Sequence, residues 1–147
     1  IDAPVVNITA TDAQGQKYVR NLSITVQNVN EAPLITSAAA VNFTEDSTAV
    51  VMDINAQDED GDKEGSGLSY RVSGGTDQAF FTVDASSGVL TFRAIPDYDA
   101  PNDAGKNNTY EVAVSVTDSE GLSISKTFAI ADLQAAFACV MMLMCLV

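Results

Sequence analysis

The stretch VNITATDAQG, residues Val6 to Gly15, returns later in the chain as VAVSVTDSEG, residues Val112 to Gly121. The two copies align without a gap and place Asp12 and Asp118 at equivalent positions, 106 residues apart. A period of this length corresponds to one domain, and a domain that recurs within one chain is typical of a tandem array. The sequence therefore predicts one complete repeat together with part of a preceding one.

The composition predicts a folded acidic domain. The 147 residues are 46% hydrophobic and 18% charged, which is enough for one core of about 100 residues. Twenty acidic residues against seven basic ones give a net charge of −13. This charge argues against nucleic-acid binding, because nothing would offset phosphate repulsion. It also makes the domain self-repulsive unless cations neutralise part of the charge.

The side chains available for chemistry are few. The chain has no histidine, and its two cysteines, Cys139 and Cys145, lie in the last nine residues. Imidazole ligands, a Ser-His-Asp arrangement and a disulfide in the folded part are therefore excluded. Carboxylates remain as the candidate functional groups, and we expect no enzymatic activity.

Short runs of alternating apolar and polar residues predict β-strands. Residues 1–27 are predicted to be the last two strands of a preceding repeat, and residues 28–33 a junction in which Pro33 cannot donate to a strand ladder. A complete domain follows over residues 34–131. About seven short strands without helical periodicity predict an all-β, Greek-key β-sandwich of seven strands. Its predicted inward-facing residues are Val50, Met52, Ile54, Ala56, Leu68, Tyr70, Val72, Phe81, Val83, Leu90, Phe92, Tyr110, Val112, Val114, Val116, Ile124, Phe128 and Ile130.

Residues 132–147 form a tail of different composition, because positions 135–147 (AAFACVMMLMCLV) are apolar throughout. A membrane span needs about 20 residues, so this run is too short as it stands. Three interpretations stay open: the beginning of a membrane anchor, a sequence artefact such as a reading-frame change, and a helix packed on the domain.

Acidic residues recur where the predicted strands end. They are Glu45, the run Asp58-Glu59-Asp60-Gly61-Asp62, the pair Asp97 and Asp99, and Asp118. If the strand Val50–Ala56 ran beside the strand Tyr110–Val116, Asp58, Asp60 and Asp118 would meet at one pole. Like charges at that distance would raise one another's pKa unless a cation lay among them. Oxygen ligands without His or Cys favour Ca²⁺ over zinc or copper.

Taken in order, these motifs resemble those of a cadherin repeat. The chain has a Glu near the first strand (Glu45), a D-x-D (Asp58-Glu59-Asp60), a variant of D-R-E (Asp97-Tyr98-Asp99) and a late x-D-x-G at Asp118. The linker NVNEAP, residues 28–33, is similar to the family's D-x-N-D-N-x-P but is one residue shorter. The resemblance covers residues 34 to about 131 and implies an immunoglobulin-like sandwich of the cadherin type.

The resemblance also implies Ca²⁺ at the junctions between repeats, with two ligand sets. Asn30, Glu31, Asp58, Asp60 and Asp118 would serve the junction that precedes the complete domain. Glu45, Asp97 and Asp99 would serve the junction that follows it. That second junction lacks a recognisable linker, because Asp132-Leu133-Gln134 stands where the first copy has Val26-Gln27-Asn28.

The implied function is that of an extracellular or cell-surface repeat of a large adhesion protein, stiffened by Ca²⁺. Its expected partners are neighbouring repeats of the same chain and adhesion partners on another cell or surface, with any membrane contact made through the tail or through an anchor elsewhere. One alternative is a carbohydrate- or surface-binding module, for which Tyr18 and Tyr98 could offer an aromatic platform. Another is a glycosidase that uses Asp97 and Asp99 as a carboxylate pair.

Overall fold

A computed structural model describes residues 4–45 and 47–135. The first two strands, β1 (Val5–Thr11) and β2 (Lys17–Ser23), form an antiparallel hairpin on their own. All of their residues are exposed, including large apolar side chains such as Ile8 and Tyr18. The hairpin therefore has the sequence pattern of a half-buried sheet but no core beneath it within the described residues.

The same hairpin occurs twice in the molecule. Thr11 faces Lys17 across the first turn, and Thr117 faces Ser123 across the second, so the two registers are equivalent. In each turn the aspartate side chain accepts a hydrogen bond from the backbone amide four residues later. Gly15 and Gly121 both have a positive φ, which explains the shared glycine. The repeated sequence thus encodes a repeated local structure.

The complete domain is a sandwich built from β3 (Leu34–Ile35), β4 (Ala40–Thr44), β5 (Val50–Asp53), β6 (Ala56–Gln57), β7 (Ser69–Gly74), β8 (Phe81–Val83), β9 (Val89–Phe92), β10 (Thr109–Thr117) and β11 (Ser123–Leu133). One sheet has the order β4-β11-β10-β7 and another β5-β9-β8, while β3 pairs with β6. Counting β3 with β4 and β5 with β6 as interrupted strands gives seven. The predicted all-β sandwich is confirmed.

The core between the sheets contains most of the predicted side chains. Phe128, Ile130 and the four alternate residues of β10 are almost fully buried, and aromatic rings stack around Phe92. The predictions for Val50 and Ile124 are wrong, because their side chains are 51% and 39% exposed. At Val50 a bulge between β5 and β9 interrupts the alternation. Ile35 and Phe43 also belong to the core, although the sequence pattern does not single them out.

The path of the chain differs from the sequence-based expectation in two places. The predicted strand Val50–Ala56 is broken after Asp53, and its halves pair with β9 and β3, so it does not run beside β10. The final strand continues to Leu133 because it pairs in parallel with β4. The apolar positions 136–147 lie outside the described residues. Within the described ranges, no helix is long and apolar enough to cross a membrane.

Candidate metal centres at the two poles

The linker and the turns after β6 and β10 meet at one end of the sandwich, which we call the linker pole. Asn30 donates a hydrogen bond from Nδ2 to Asp118 Oδ2 at 2.9 Å. The backbone amide of Glu31 donates to Asp60 Oδ2 at 2.8 Å. These two contacts hold the linker against Asp118 and Asp60, and the amide of Asp60 in turn donates to Asp58, so the five residues predicted for the preceding junction lie at this pole, although the predicted strand pairing is not the cause. Asn28 and Asp62 also lie at this pole.

Asp118 organises the turn between β10 and β11. Its Oδ1 accepts hydrogen bonds from the amides of Gly121 and Leu122, at 2.6 and 2.8 Å. Burial alone would raise the pKa of this carboxyl, but the hydrogen bonds from Asn30 and the turn amides lower it below its ordinary value. The expected increase through like-charge repulsion is therefore wrong for Asp118. Its charge is already stabilised by donors of the protein.

The acidic loop after β6 is fixed by its own hydrogen bonds. The amide of Asp60 donates to Asp58 Oδ1 at 2.8 Å, and the amide of Ser119 donates to Asp62 Oδ2 at 2.7 Å. Asn28 Nδ2 donates to Asp60 Oδ1. Asn28 and Asp62 are not among the ligands predicted from the sequence. Their positions within the linker and the DEDGD run are the only signals that could have indicated them.

Part of the linker pole lacks hydrogen-bond donors. Asn30 Oδ1 and Asp58 Oδ2 are buried and have no partner in the described structure. Although Glu31 is exposed, partial desolvation raises the pKa of its carboxyl, and the charges of Asp60, Glu59 and Asp58 raise it further. Oxygen atoms without a donor, close to crowded negative charge, are what a hard cation would bind.

The opposite end of the sandwich, which we call the far pole, gathers the second predicted set. The carboxylate of Glu45 accepts one hydrogen bond from the amide of Tyr98 and another from the amide of Ala135, each at 3.0 Å. Asp97 Oδ1 accepts from the amide of Asp99, also at 3.0 Å. Glu45 thus connects the end of β4 to the loop of Asp97 and to the segment after β11.

Asp132 is an additional member of the far pole. It lies on the inward face of β11, where it is only 2% exposed, and neither of its carboxylate oxygens has a hydrogen-bond partner in the part of the chain that the structure describes. Burial, with further contributions from the charges of Glu45 and Asp97, raises its pKa to about 6. Asp132 is not among the predicted ligands. The signal was the alternation Phe128, Ile130, Asp132, which places all three side chains on one face.

The ligand atoms available at both poles suit Ca²⁺. The buried atoms without a hydrogen-bond partner and the closely spaced charged groups are all oxygen atoms. In residues 4–45 and 47–135, however, no three acidic side chains are arranged closely enough to hold a metal ion as they stand. At the linker pole, Asp58, Asp60, Asp62 and Asp118 each accept at least one hydrogen bond from a protein donor, and Asp58 Oδ2 accepts none in the described structure. Cation binding there would require part of these hydrogen bonds to be exchanged.

Comparison with known proteins identifies the family. Residues 39–130 match the family model described as the cadherin domain. Halomucin of Haloquadratum walsbyi is 35% identical over 72 residues, which is 49% of this chain but only 1% of that protein. Among solved structures, mouse Cadherin-23 repeats EC22-24 align with a TM-score of 0.64 at 17% identity, over 89% of this chain and 43% of that one. The Protocadherin gammaB7 EC3-6 cis-dimer structure aligns with a TM-score of 0.66 at 19% identity, over 89% and 33%.

The family match covers more than half of the chain, and the chain therefore belongs to the cadherin domain family. Cadherin domains are extracellular adhesion modules without enzymatic activity that contact neighbouring repeats and generally bind Ca²⁺. The chain is an adhesion-type repeat of this class. It spans a small part of its curated relative and less than half of these structures.

The residues named for the alternative functions lie in separate parts of the structure. Tyr18 is 70% exposed on the hairpin, whereas Tyr98 is half-buried in the loop of the far pole. The Asp97 and Asp99 pair forms a local turn, in which one residue's amide binds the other's carboxylate. Neither arrangement is specific for a carbohydrate ligand or for glycoside hydrolysis.

Proposed function

We propose that this repeat is a Ca²⁺-binding structural unit of a large cell-surface adhesion protein, in which the linker pole stiffens the junction with the preceding repeat. Asn30, Glu31, Asp58, Asp60 and Asp118 are the proposed ligands of this junction. Glu45, Asp97 and Asp99 are the proposed ligands of the next one. The repeat would act through neighbouring repeats and through partners on another surface.

The observation that carries the proposal is the direct contact between linker and domain. Asn30 reaches Asp118 and the Glu31 amide reaches Asp60, so the linker is already held against two of the proposed ligands. Asn30 Oδ1 and Asp58 Oδ2 have no hydrogen-bond donor among the described residues. A cation could therefore enter without first displacing a partner at these two atoms.

The residues of the pole perform two tasks in this proposal. Asp118 fixes the turn after β10, and Asn30 connects the linker to Asp118. Ca²⁺, when bound, would neutralise the crowded carboxylates and connect groups from the linker and the domain. Ligand binding to the ordered junction stabilises that state by mass action, so junction order should increase with calcium concentration. Extracellular modules typically bind Ca²⁺ with a Kd of about 10⁻⁴ to 10⁻³ M.

Isothermal titration calorimetry of the 147-residue chain with CaCl₂ tests this proposal. We expect binding in the millimolar range or tighter, and a loss of binding at the linker pole in the double variant Asp58→Asn/Asp60→Asn. Hydrogen exchange of residues 28–33, measured with and without calcium, reports whether binding orders the linker. Protection of these amides should increase with calcium in the wild type and remain constant in the double variant.

Glu59→Gln is the matched control. It removes one negative charge between Asp58 and Asp60, but Glu59 is exposed and its side chain makes no hydrogen bond in the described structure. Its calcium affinity should stay within about twofold of the wild type. Equal losses in Glu59→Gln and in the double variant would indicate a diffuse charge effect and contradict the proposed ligands.

A further inference from the structure

Some asparagines of the chain stand in the pattern Asn-x-Ser/Thr, the acceptor sequence for N-linked glycosylation of secreted proteins. They are Asn7, Asn21, Asn42 and Asn107. All of them are exposed in the structure. Because an N-linked glycan is joined to the side-chain nitrogen Nδ2, exposure of this side chain is the first condition for a folded protein to carry one.

The pattern coincides with a difference in how the fold uses its asparagines. Among the described residues, the asparagines that donate a hydrogen bond from Nδ2 are Asn28, Asn30, Asn55 and Asn108, all outside the pattern. No asparagine within the pattern donates such a bond in this part of the chain. A glycan could therefore replace an Nδ2 hydrogen in the patterned asparagines without the loss of a described hydrogen bond.

The first of these sites in the complete domain lies on a sheet edge. Asn42 and Thr44 are exposed on β4, while Phe43 between them is buried, so both polar side chains share the outward face. β4 is the edge strand of the sheet β4-β11-β10-β7. An edge strand presents unpaired backbone groups to the strands of other molecules. A bulky, hydrated group on Asn42 would stand beside this edge and hinder such pairing.

The second site lies in the loop before β10. Asn107 is flanked by Lys106 and Asn108, which both have a positive φ. Its Oδ1 accepts a hydrogen bond from the amide of Thr109 at 3.0 Å, and its own amide donates to Asp103 Oδ2, also at 3.0 Å. The side chain and backbone of Asn107 are thus held through groups other than Nδ2.

We infer that Asn42 and Asn107 are acceptor sites for N-linked glycans, and that the glycan on Asn42 shields the β4 edge. In the transfer, Nδ2 bonds to the anomeric carbon of a lipid-pyrophosphate-linked oligosaccharide. The bond from that carbon to the pyrophosphate oxygen breaks, the lipid pyrophosphate leaves with the electron pair, and Nδ2 loses one proton to a base of the transferase. Asn7 and Asn21 are cross-strand partners with Cα atoms about 5 Å apart, where two glycans would crowd each other, so the inference is confined to the complete domain. It rests on the proposed function only for the extracellular location.

Site-specific mass spectrometry of the 147-residue chain, secreted from cultured eukaryotic cells, tests the acceptor sites. Peptide N-glycosidase in H₂¹⁸O converts each glycosylated asparagine to ¹⁸O-labelled aspartate, and we expect this label at Asn42 and Asn107 in most molecules. Thr44→Ala and Thr109→Ala should each abolish the label two positions earlier, whereas Thr44→Ser and Thr109→Ser should keep it. Asn102 is exposed but lies outside the pattern, so it should stay unlabelled. An unlabelled Asn42 or Asn107 in the secreted wild type would overturn the assignment of that site.

Light scattering of the same secreted chains tests the shielding role. Thr44→Ala keeps Asn42 and the β4 backbone but lacks the glycan, so we expect its molar mass to at least double at concentrations where the wild type is monomeric. Thr109→Ala, which lacks only the other glycan, is the matched control and should remain monomeric. A monomeric Thr44→Ala chain, or equal association of both variants, would overturn the shielding role.

The glycan and calcium measurements fail independently of each other. A secreted chain that binds calcium in calorimetry but carries no glycan at either site would overturn the inference alone. A chain that is glycosylated at both sites and does not bind calcium would contradict the proposed function and leave the inference supported.

Discussion

The linker pole and the far pole contain the same kind of residue in opposite electrostatic states. At the linker pole, Asp118 is surrounded by amide donors and its pKa is lowered. At the far pole, Asp132 is buried without a donor and its pKa is raised to about 6. The number of carboxylates at a pole therefore does not determine its stability. The supply of donors does, and the linker is an important part of that supply.

The two poles also differ in where their hydrogen-bond donors come from. A pole that has its linker holds its carboxylates in place through N–H groups such as those of Asn30 and Glu31. At the far pole, the described donors are the amides of Tyr98 and Ala135, which reach Glu45, and the amide of Asp99, which reaches Asp97. We expect each pole to respond differently when its charges or its donors are changed.

Removal of the Asp118 side chain should have the largest effect on stability, because this carboxylate accepts several hydrogen bonds at the linker pole. Asp118→Ala leaves the amides of Gly121 and Leu122 without an acceptor and releases Asn30. We expect the calcium-free unfolding midpoint to fall by roughly 10 °C. Asp12→Ala is the control, since Asp12 occupies the equivalent turn of the exposed hairpin. A similar fall in both variants would show that the turn, and not the linker pole, accounts for the loss.

A change of pH should have an intermediate effect on stability, and this effect arises at the far pole. Because the pKa of Asp132 is about 6 in the folded chain and near 3.8 in the unfolded chain, the folded state binds the extra proton between about pH 4 and 6. Stability should therefore fall as pH rises through this window, by about 1–2 kcal/mol after allowance for screening. Urea unfolding in chelator at pH 5 and pH 7.5 measures this difference.

Asp132→Asn supplies the comparison for the pH experiment. The variant should lack the loss between pH 5 and pH 7.5, because its side chain does not titrate. Asp118, whose pKa is lowered, contributes stability that is lost only at more acidic pH and should behave equally in both chains. Parallel pH profiles for the wild type and Asp132→Asn would show that groups other than Asp132 cause the change in stability between pH 5 and pH 7.5.

The smallest change in stability is expected for Glu31→Gln at the linker pole. The backbone amide of Glu31 donates to Asp60, so the substitution keeps that hydrogen bond. It removes the Glu31 carboxyl, whose pKa is raised by desolvation and by the neighbouring acids. The calcium-free midpoint should change by less than about 2 °C, whereas calcium affinity should fall about tenfold. An unchanged affinity in calorimetry would remove Glu31 from the proposed ligands.

The linker pole was largely predictable because its residues belong to compact motifs. Asp58, Asp60 and Asp118 follow predicted strands, and a shared end of the sandwich was predicted for them from an assumed pairing of those strands. The reason given for their proximity was wrong, since β5 and β10 lie in different sheets. The hydrogen bonds from Asn30 and Glu31 were not visible in any local pattern. They depend on how the linker folds back onto the domain.

The far pole shows where an ungapped repeat alignment fails. That alignment places Asp132 opposite Val26, which suggests an ordinary inward-facing position. Alternation does put Asp132 on the buried face, but only the pairing of β11 with β4, in which Asp132 faces Phe43, shows that the strand still runs there. Val50 fails for a related reason, because a bulge is a property of two strands and not of one.

The parallel pairing of β4 with β11 also has a mechanical consequence. Five residue pairs, from Ala129 with Ala40 to Leu133 with Thr44, join the beginning of the complete domain to its end. Tension applied through the two chain ends would pull these strands past each other, loading the hydrogen bonds between them together instead of one after another. Forced unfolding is governed by the rate at which such a barrier is crossed. This short ladder is therefore where a repeat under load would be expected to resist extension.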